Sequence, residues 1–348
     1  MKSTENDRLY HVLENRICAR IFRGDYPDGE NLPPERTLAE SFNVSRVTVR
    51  KTMALLEADG IIQRVQGSGN RVSLSLASRA GTMDLIAVLA PAQNVFFAAF
   101  IDDFQRCAEQ HDSLVLFKQN RPSERFEESL FKLLQKNIRN AVIWLEDQQV
   151  ELESIRRLRG LGMNMVFFDA VTPSPYADGV LLDNEDAITS LHQNLIQRGL
   201  TQIGYVGWNN SAILSAGERE AVFLRQQANP AFVQRIAWRD RNKLGLLADA
   251  MADDWQRSPN PPEAIICGDG EIGVAVKKAL NAQGLCSMVL ASPDEYPESR
   301  ALSITLYRQN FAQMAEKTYE CLQQQNQPNW VAATHRIKGE LIAEPHGV

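Results

Sequence analysis

The chain has 348 residues, with 37 Lys+Arg against 43 Asp+Glu and a formal net charge of −6. That length has room for two or three domains and a sizeable core, and the acidic balance taken whole argues against nucleic acid as a partner. No apolar run approaches the ~20 residues that span a bilayer, and the first residues are polar rather than those of a signal peptide.

The five cysteines are odd in number, widely spaced and without any Cys-x-x-Cys, which suits free thiols in a reducing cytoplasm. A soluble cytoplasmic protein with no membrane partner is expected. Splitting the charge changes the first impression of it. Residues 1–80 hold 12 Lys+Arg against 10 Asp+Glu, leaving 25 against 33 for the rest. The modest positive charge sits at the front, and the body is acidic.

In chain order, residues 8–22 read as an amphipathic helix with Leu9, Val12, Leu13, Ile17 and Ile21 on its core face. Two shorter helix patterns follow over residues 34–42 and 46–59. The second carries Val49, Met53 and Leu56 at helical spacing, Ser45 as its N-cap and Gly60 as its stop signal. Arg46 and Arg50 lie one turn apart at its start, with Val47 and Thr48 between them. A helix start offers free N–H groups and a positive partial charge, and two guanidinium forks there can reach phosphates or guanine edges in a major groove. Ile61 to Val65 and Asn70 to Val72 then flank Gln66-Gly67-Ser68-Gly69, a small hairpin with a glycine tip. Helix–turn–helix plus hairpin, in that order, predicts a winged DNA-binding head over residues 1–73.

This stretch resembles the GntR family of bacterial regulators. The match runs through Leu32-Pro33-Pro34-Glu35-Arg36-x-Leu38-Ala39-Glu40, Val44-Ser45-Arg46-x-Thr48-Val49-Arg50, Leu56-Glu57-Ala58-Asp59-Gly60 and Gln66-Gly67-Ser68-Gly69. The resemblance implies DNA contacts from Arg36, Ser45, Arg46, Thr48 and Arg50, with Gln66 and Gly67 at the wing tip. Val47 stands where the family often has Thr; it can pack on a thymine methyl but cannot hydrogen-bond.

Residues 74–83 are Ser/Ala/Gly-rich and read as a linker. From residue 84 short apolar runs alternate with ten to sixteen residues of helix pattern, from Leu85–Leu89 through Met288–Leu290. Such alternation predicts an α/β body with parallel sheets, and the break at Thr172-Pro173-Ser174-Pro175 favours two sheets over one. Ligands of such sheets bind outside the carboxyl ends of the strands.

The body also resembles the LacI-type effector domain, which shares the periplasmic sugar-binding-protein fold. The matching pieces include Ile86-Ala87-Val88-Leu89-Ala90-Pro91, Val180-x-x-Asp183-Asn184, Leu195-Ile196-x-x-Gly199, Arg219-x-x-x-Phe223 and Ala264-Ile265-Ile266-Cys267-Gly268-Asp269. The resemblance implies a two-lobed body with three crossovers. Lobe 1 is expected at about 84–172 and 303–327, and lobe 2 at about 176–300 and 328–348. It also implies a homodimer through the bodies and a sugar, sugar acid or related polar effector in the cleft. By position, Arg219, Asp269 and Asp169 are expected to touch that ligand, with Phe96 or Phe97 as a ring-stacking wall. Three departures suggest a reworked pocket: Asp169-Ala170 replaces Asp-Arg, Ala291-Ser292-Pro293 stands where an aspartate is expected, with Asp294 just beyond, and Val222 replaces Gly.

One motif points to another class. Gly268-x-Gly270-x-x-Gly273 follows a strand pattern and opens a helix, the context of a dinucleotide fingerprint, and would imply an NAD-linked oxidoreductase. Against it, Asp269 and Glu271 place two carboxylates where a pyrophosphate would sit. Other signatures of enzymes are missing, and the five histidines have no metal-ligand spacing. The reading is a ligand-responsive transcription regulator, a repressor of carbohydrate or sugar-acid use, without cofactor, metal or enzymatic activity. The alternatives are the oxidoreductase and a DNA-binding protein with a non-sensing body.

Overall fold

The computed structural model describes residues 2–74, 83–91, 95–121, 123–145, 149–170, 173–209 and 214–342; the side chains of residues 2–8 and 95–96 are not described. The expected linker over residues 74–83 therefore lies almost wholly outside the described residues, as does the side chain of Phe96.

The head is built from α1 (Lys2–Arg23), α2 (Glu35–Phe42), α3 (Arg46–Ala58) and the antiparallel pair β1 (Ile62–Val65) and β2 (Gly69–Val72). In α1 the buried stripe is Tyr10, Leu13, Ile17 and Ile21, while Leu9 and Val12 are exposed. The helical phase explains this correction to the expected face. Positions 10, 13, 17 and 21 keep one side, and 9 and 12 rotate away from it. Residues before α2 join the wing: Asn31 bridges to Arg71, and its side chain donates to Ser68 Oγ at 2.9 Å. Gly67 and Gly69 adopt φ of 77° and 96°, which the tight wing turn requires.

The body begins with β3 (Leu85–Ala90), α4 (Val95–Gln110), β4 (Leu114–Gln119), α5 (Phe126–Leu134), β5 (Asn140–Ile143), α6 (Leu152–Gly160), β6 (Asn164–Phe168) and β7 (Asp178–Leu182). The chain then crosses to α7 (Asn184–Gln197), β8 (Ile203–Asn209), α8 (Leu214–Gln226), β9 (Val233–Ala237) and a 3-10 turn at Trp238–Lys243. There follow α9 (Leu244–Arg257), β10 (Ala264–Cys267), α10 (Gly270–Ala282), β11 (Val289–Ser292) and β12 (Thr305–Arg308). It returns with α11 (Phe311–Gln324) and β13 (Thr334–Ile337), and ends in β14 (Glu340–Ile342).

Two six-stranded sheets result. The first has the order β13-β7-β6-β5-β3-β4 and is parallel throughout; the second has the order β14-β12-β11-β10-β8-β9, antiparallel only at β12/β14. The fold class is therefore the expected one, with three crossovers at Asp183, at Gln309–Asn310 and at Lys338–Gly339.

The expected lobe boundaries need three corrections. β7 pairs with β6 and belongs to lobe 1, β12 pairs with β11 and belongs to lobe 2, and β13 pairs with β7 and returns to lobe 1. The proline-rich turn sends the chain back onto the same sheet instead of leaving it. The late strands β12, β13 and β14 have no apolar run long enough to announce them; they are placed by the sheet positions left open for pairing.

The head packs directly on lobe 1, and one continuous apolar core runs from Leu13 and Ile17 through Leu130 and Ile155. Phe22 stacks on Phe131 with ring centroids 4.6 Å apart. Arg156 pairs with Asp28 at 2.9 Å, and Arg157 donates to the Phe22 carbonyl at 3.2 Å. Leu74 sits so close to Gly160 that a Cβ there would lie 2.6 Å from the leucine Cβ.

Candidate nucleic-acid interface and ligand cleft

The first site is the start of α3. Ser45 has extended backbone, and its Oγ accepts from the Thr48 N–H at 3.1 Å, so the cap expected there is formed. Val49, Met53 and Leu56 anchor one face of the helix in the core, which turns the other face to solvent. Arg46 and Arg50 stand on that open face, and so does Val47, which is 63% exposed. Arg50 reaches Glu35 at 3.4 Å and Arg36 reaches Glu40 at 3.0 Å. Ion pairs this open to water are weak, so both guanidinium groups are available to a stronger anion. The exposed Gln66 and Gly67 tip the wing, with exposed Arg64 and Arg71 on its two strands.

The second site is the cleft between the lobes. The chain ends of β5, β6, β8, β10 and β11 bring Trp144, Asp169, Trp208, Asp269 and Asp294 to one cavity, partly open to solvent, with Arg219 from α8 and Trp238, Arg241 and Tyr296 also on its wall. Arg219 is only 4% exposed. Its Nε donates to Asn184 Oδ1 at 2.8 Å, and its Nη1 donates to the Gly268 carbonyl at 2.8 Å and to Asp294 Oδ2 at 3.1 Å. Gln309 donates to the other oxygen of Asp294.

Asp269 caps α10, accepting from the Ile272 N–H at 2.8 Å, and also accepts from the Trp208 indole. Desolvation raises its carboxyl to about 6, and raises that of Asp169 to about 7 against the opposing pull of Arg219. Burial by itself would lower the Arg219 guanidinium, but the combined pull of Asp294, Asp169, Tyr205 and Asp269 holds it above its ordinary value.

The cleft residues also hold the crossovers. Arg219 grips Asn184 at the first and, through Asp294, Gln309 at the second. Asn184 donates to Glu218, and Glu218 forms a two-point pair with Arg336 of β13, at 2.6 and 2.9 Å, next to the third.

Residues 9–72 match the family model of bacterial regulatory proteins, gntR family. Over 72 residues the chain is 42% identical to the Exu regulon transcriptional regulator of Escherichia coli K12, covering 21% of this chain and 28% of that protein. It is 41% identical over 64 residues to the probable fructoselysine utilization operon transcriptional repressor of the same organism, covering 18% and 26%. The chain thus spans under a third of the length of these relatives. Among solved structures, the lac repressor dimer bound to operator and an anti-inducer superimposes with a TM-score of 0.62 at 16% identity, over 75% of this chain and 93% of that one. The Escherichia coli trehalose repressor gives the same TM-score and identity over 75% and 100%. A GntR-type head is joined to a body of LacI-type fold.

The cleft of that body is lined by Asp169, Arg219 and Asp269, the three residues nominated from the sequence. Phe97 is a correction. It is 1% exposed, inside a cluster with Phe100 and Phe168, and Trp144 stacks on it at 4.7 Å and takes the cleft-facing place. Sequence reasoning also missed Trp208, Trp238, Arg241 and Tyr296. Only Trp208 lay among the strand-end segments that such folds use for ligands.

The glycine motif has a packing explanation in this body. A Cβ at Gly270 would lie 2.7 Å from the Tyr296 Cβ, and one at Gly268 would lie 2.8 Å from the Tyr205 hydroxyl. The helix start is taken by its own Asp269, and Glu271 pairs with Arg241 at 2.8 Å. Among the described residues one group, Asp178, Cys321 and His335, has metal-like proximity. Asp178 there accepts from Gln325, the Trp330 indole and the Ala333 N–H, and burial pushes the Cys321 thiol up to about 12. A satisfied carboxylate and a protonated thiol make a brace between β7 and the segment after α11 rather than a metal site.

Proposed function

We propose that this protein is a ligand-responsive transcription regulator that represses a carbohydrate-use operon in the cytoplasm, binding DNA without acting as an enzyme. The observation that carries the reading is the joining of an open, basic, capped recognition helix to a lobe whose cleft is closed by a buried Arg219–Asp294 pair. The named relatives of the head, and the trehalose repressor among the neighbours of the body, support the carbohydrate class.

In this reading α3 enters a major groove, with Arg46 and Arg50 on phosphate or guanine and Val47 against a thymine methyl, while the wing rests on the adjacent backbone. A polar ligand that engages Arg219 and Asp294 competes with Asn184 and Gln309 for the same hydrogen-bonding atoms, so it acts on the crossovers directly. The head travels with lobe 1, because Phe22 and Asp28 are fixed to Phe131 and Arg156. Two heads must meet half-sites about one helical turn (~34 Å) or a multiple apart, so a small change in lobe angle weakens binding. The dimer surface assigned here is the β4 edge, where Leu114 is 68% exposed and Leu116 and Phe117 also face water beside an unpaired strand edge.

The test begins with DNA selected from a random pool by the full chain. Replacing both Arg46 and Arg50 with Ala should weaken binding to the selected DNA by roughly a hundredfold, since each phosphate or base contact is worth about 1–3 kcal/mol. Thermal unfolding should stay unchanged. Selected DNA bound equally well by the double variant would overturn the assignment of α3.

A further inference from the structure

The charges in the cleft do not balance. Arg219 is committed to Asp294 and Arg241 to Glu271. Among the described residues Asp169 and Asp269, on the same cavity, form no ion pair of their own; the charge of Arg219, already paired with Asp294, acts on them without direct contact. Asp269 receives only the neutral Ile272 and Trp208 N–H groups. Asp169 directly follows β6 with a φ of 46°, and its carboxylate accepts no hydrogen bond from a described residue. Both are partly buried; drawing carboxylates even partly out of water without a paired cation is costly, and the raised carboxyls of both residues express that cost. Their surroundings are aromatic, with Trp144, Trp208, Trp238 and Tyr296 on the same wall. Indole faces attract cations most when both are shielded from water. Arg241 already stacks on Trp238, 4.7 Å from the ring centroid, so the wall is used in this way once within the chain itself.

A sugar acid entering this cleft would meet two unpaired carboxylates and find both guanidinium groups engaged. A neutral sugar could donate hydroxyls to Asp169 but would leave its charge without a paired cation. A ligand that brings one positive charge removes the imbalance and gains the aromatic wall.

We propose that the effector is a hydroxylated amine, such as an amino sugar. Its ammonium group lies between Asp169 and Asp269 against the indoles, and its hydroxyls lie toward Arg219 and Asp294. This rests on the cleft being the sensor site of the regulator proposed above, and it narrows the ligand class of that site by excluding sugar acids.

The experiment is calorimetric titration of the full chain, above neutral pH, with matched triplets: glucosamine, glucose and glucuronate, and the corresponding galacto and manno compounds. At least one amine should bind roughly tenfold or more tightly than its neutral partner, with the acid weaker still. Asp169→Asn should bring that amine down to the level of its neutral partner, and thermal unfolding of the variant checks that it is folded. A neutral or acidic member that binds as tightly as its amine overturns the inference, as does an amine preference that survives Asp169→Asn. Silence from every amine overturns it too. Release of the selected DNA by a small-molecule extract of cells is measured in parallel. If the extract or a non-amine releases the DNA, the sensor reading stands while the amine inference falls; if no extract releases it, the sensor reading itself fails.

Discussion

Val47 carries an apolar side chain into water at the first turn of a helix whose Val49, Met53 and Leu56 are buried. That exposure leaves its side chain free for contact with a partner. Against DNA it offers methyl contact and no hydrogen bond. Val47→Thr should change which bases are preferred at one step of each half-site while shifting unfolding by no more than about 0.5 kcal/mol, the usual range for a surface change. Selection of DNA by both forms, side by side, reads this out; identical preferences would place Val47 off the bases. Asp169 makes a second claim at this scale. Its carboxyl is raised to about 7 in the folded chain, so the folded state holds its proton more tightly than the unfolded state does. Stability from this group is therefore present at low pH and lost as pH rises through about 7, and Asp269 adds the same trend around 6. The melting temperature of the free protein should fall between about pH 5 and pH 8, and Asp169→Asn should flatten that fall. A melting temperature that climbs steadily across the window would show that the two carboxyls are not raised by their surroundings.

At the scale of elements, capping and periodicity were legible from the residues. Ser45, Gly60 and the Val49-Met53-Leu56 stripe specify α3 locally, because a helix start needs an acceptor for its free N–H groups and a buried face needs helical spacing. The docking of α1 on lobe 1 was not legible, since no local pattern distinguishes Phe22 stacked on Phe131 from Phe22 packed within the head. That contact is the route from cleft to DNA in the proposed mechanism. Phe22→Ala should leave binding to the selected DNA within a few-fold and reduce the effect of a bound ligand on it, measured as the ratio of DNA affinities with and without ligand. An unchanged ratio would move the route elsewhere. The β4 edge makes the other element-scale prediction. Leu114→Glu together with Phe117→Glu should shift the chain toward monomer in sedimentation and weaken DNA binding, because a single head engages a single half-site. A dimer that survives both changes would remove this edge from the interface.

Across the whole molecule, the cleft is a meeting of strand ends from two sheets, and its chemistry belongs to no single segment. The fold class could be anticipated because alternating apolar runs and helix patterns admit few arrangements, and parallel strands leave their carboxyl ends on one side. Arg219, Asp169 and Asp269 could be nominated by position. Phe97 could not be placed correctly, since a phenylalanine beside a strand end suits a core as well as a wall, and only the arrival of Trp144 in front of it decided between them. The lobe boundaries failed in the same way. β7, β12 and β13 are short, and which sheet they join is set by hydrogen-bonding edges that exist only once the other strands are in place.

The sequence by itself determined the head, the cap, the wing and the two-sheet body, all of which follow from local propensity and periodicity. Tertiary structure alone decided that Asp294 pairs with Arg219, that Glu271 pairs with Arg241, and that Asp169 and Asp269 form no ion pair among the described residues. Pairing of charges is a matter of a few ångströms between residues far apart in the chain, seventy-five positions in the case of Arg219 and Asp294. That separation carries no sequence signal, and it sets what the cleft can hold.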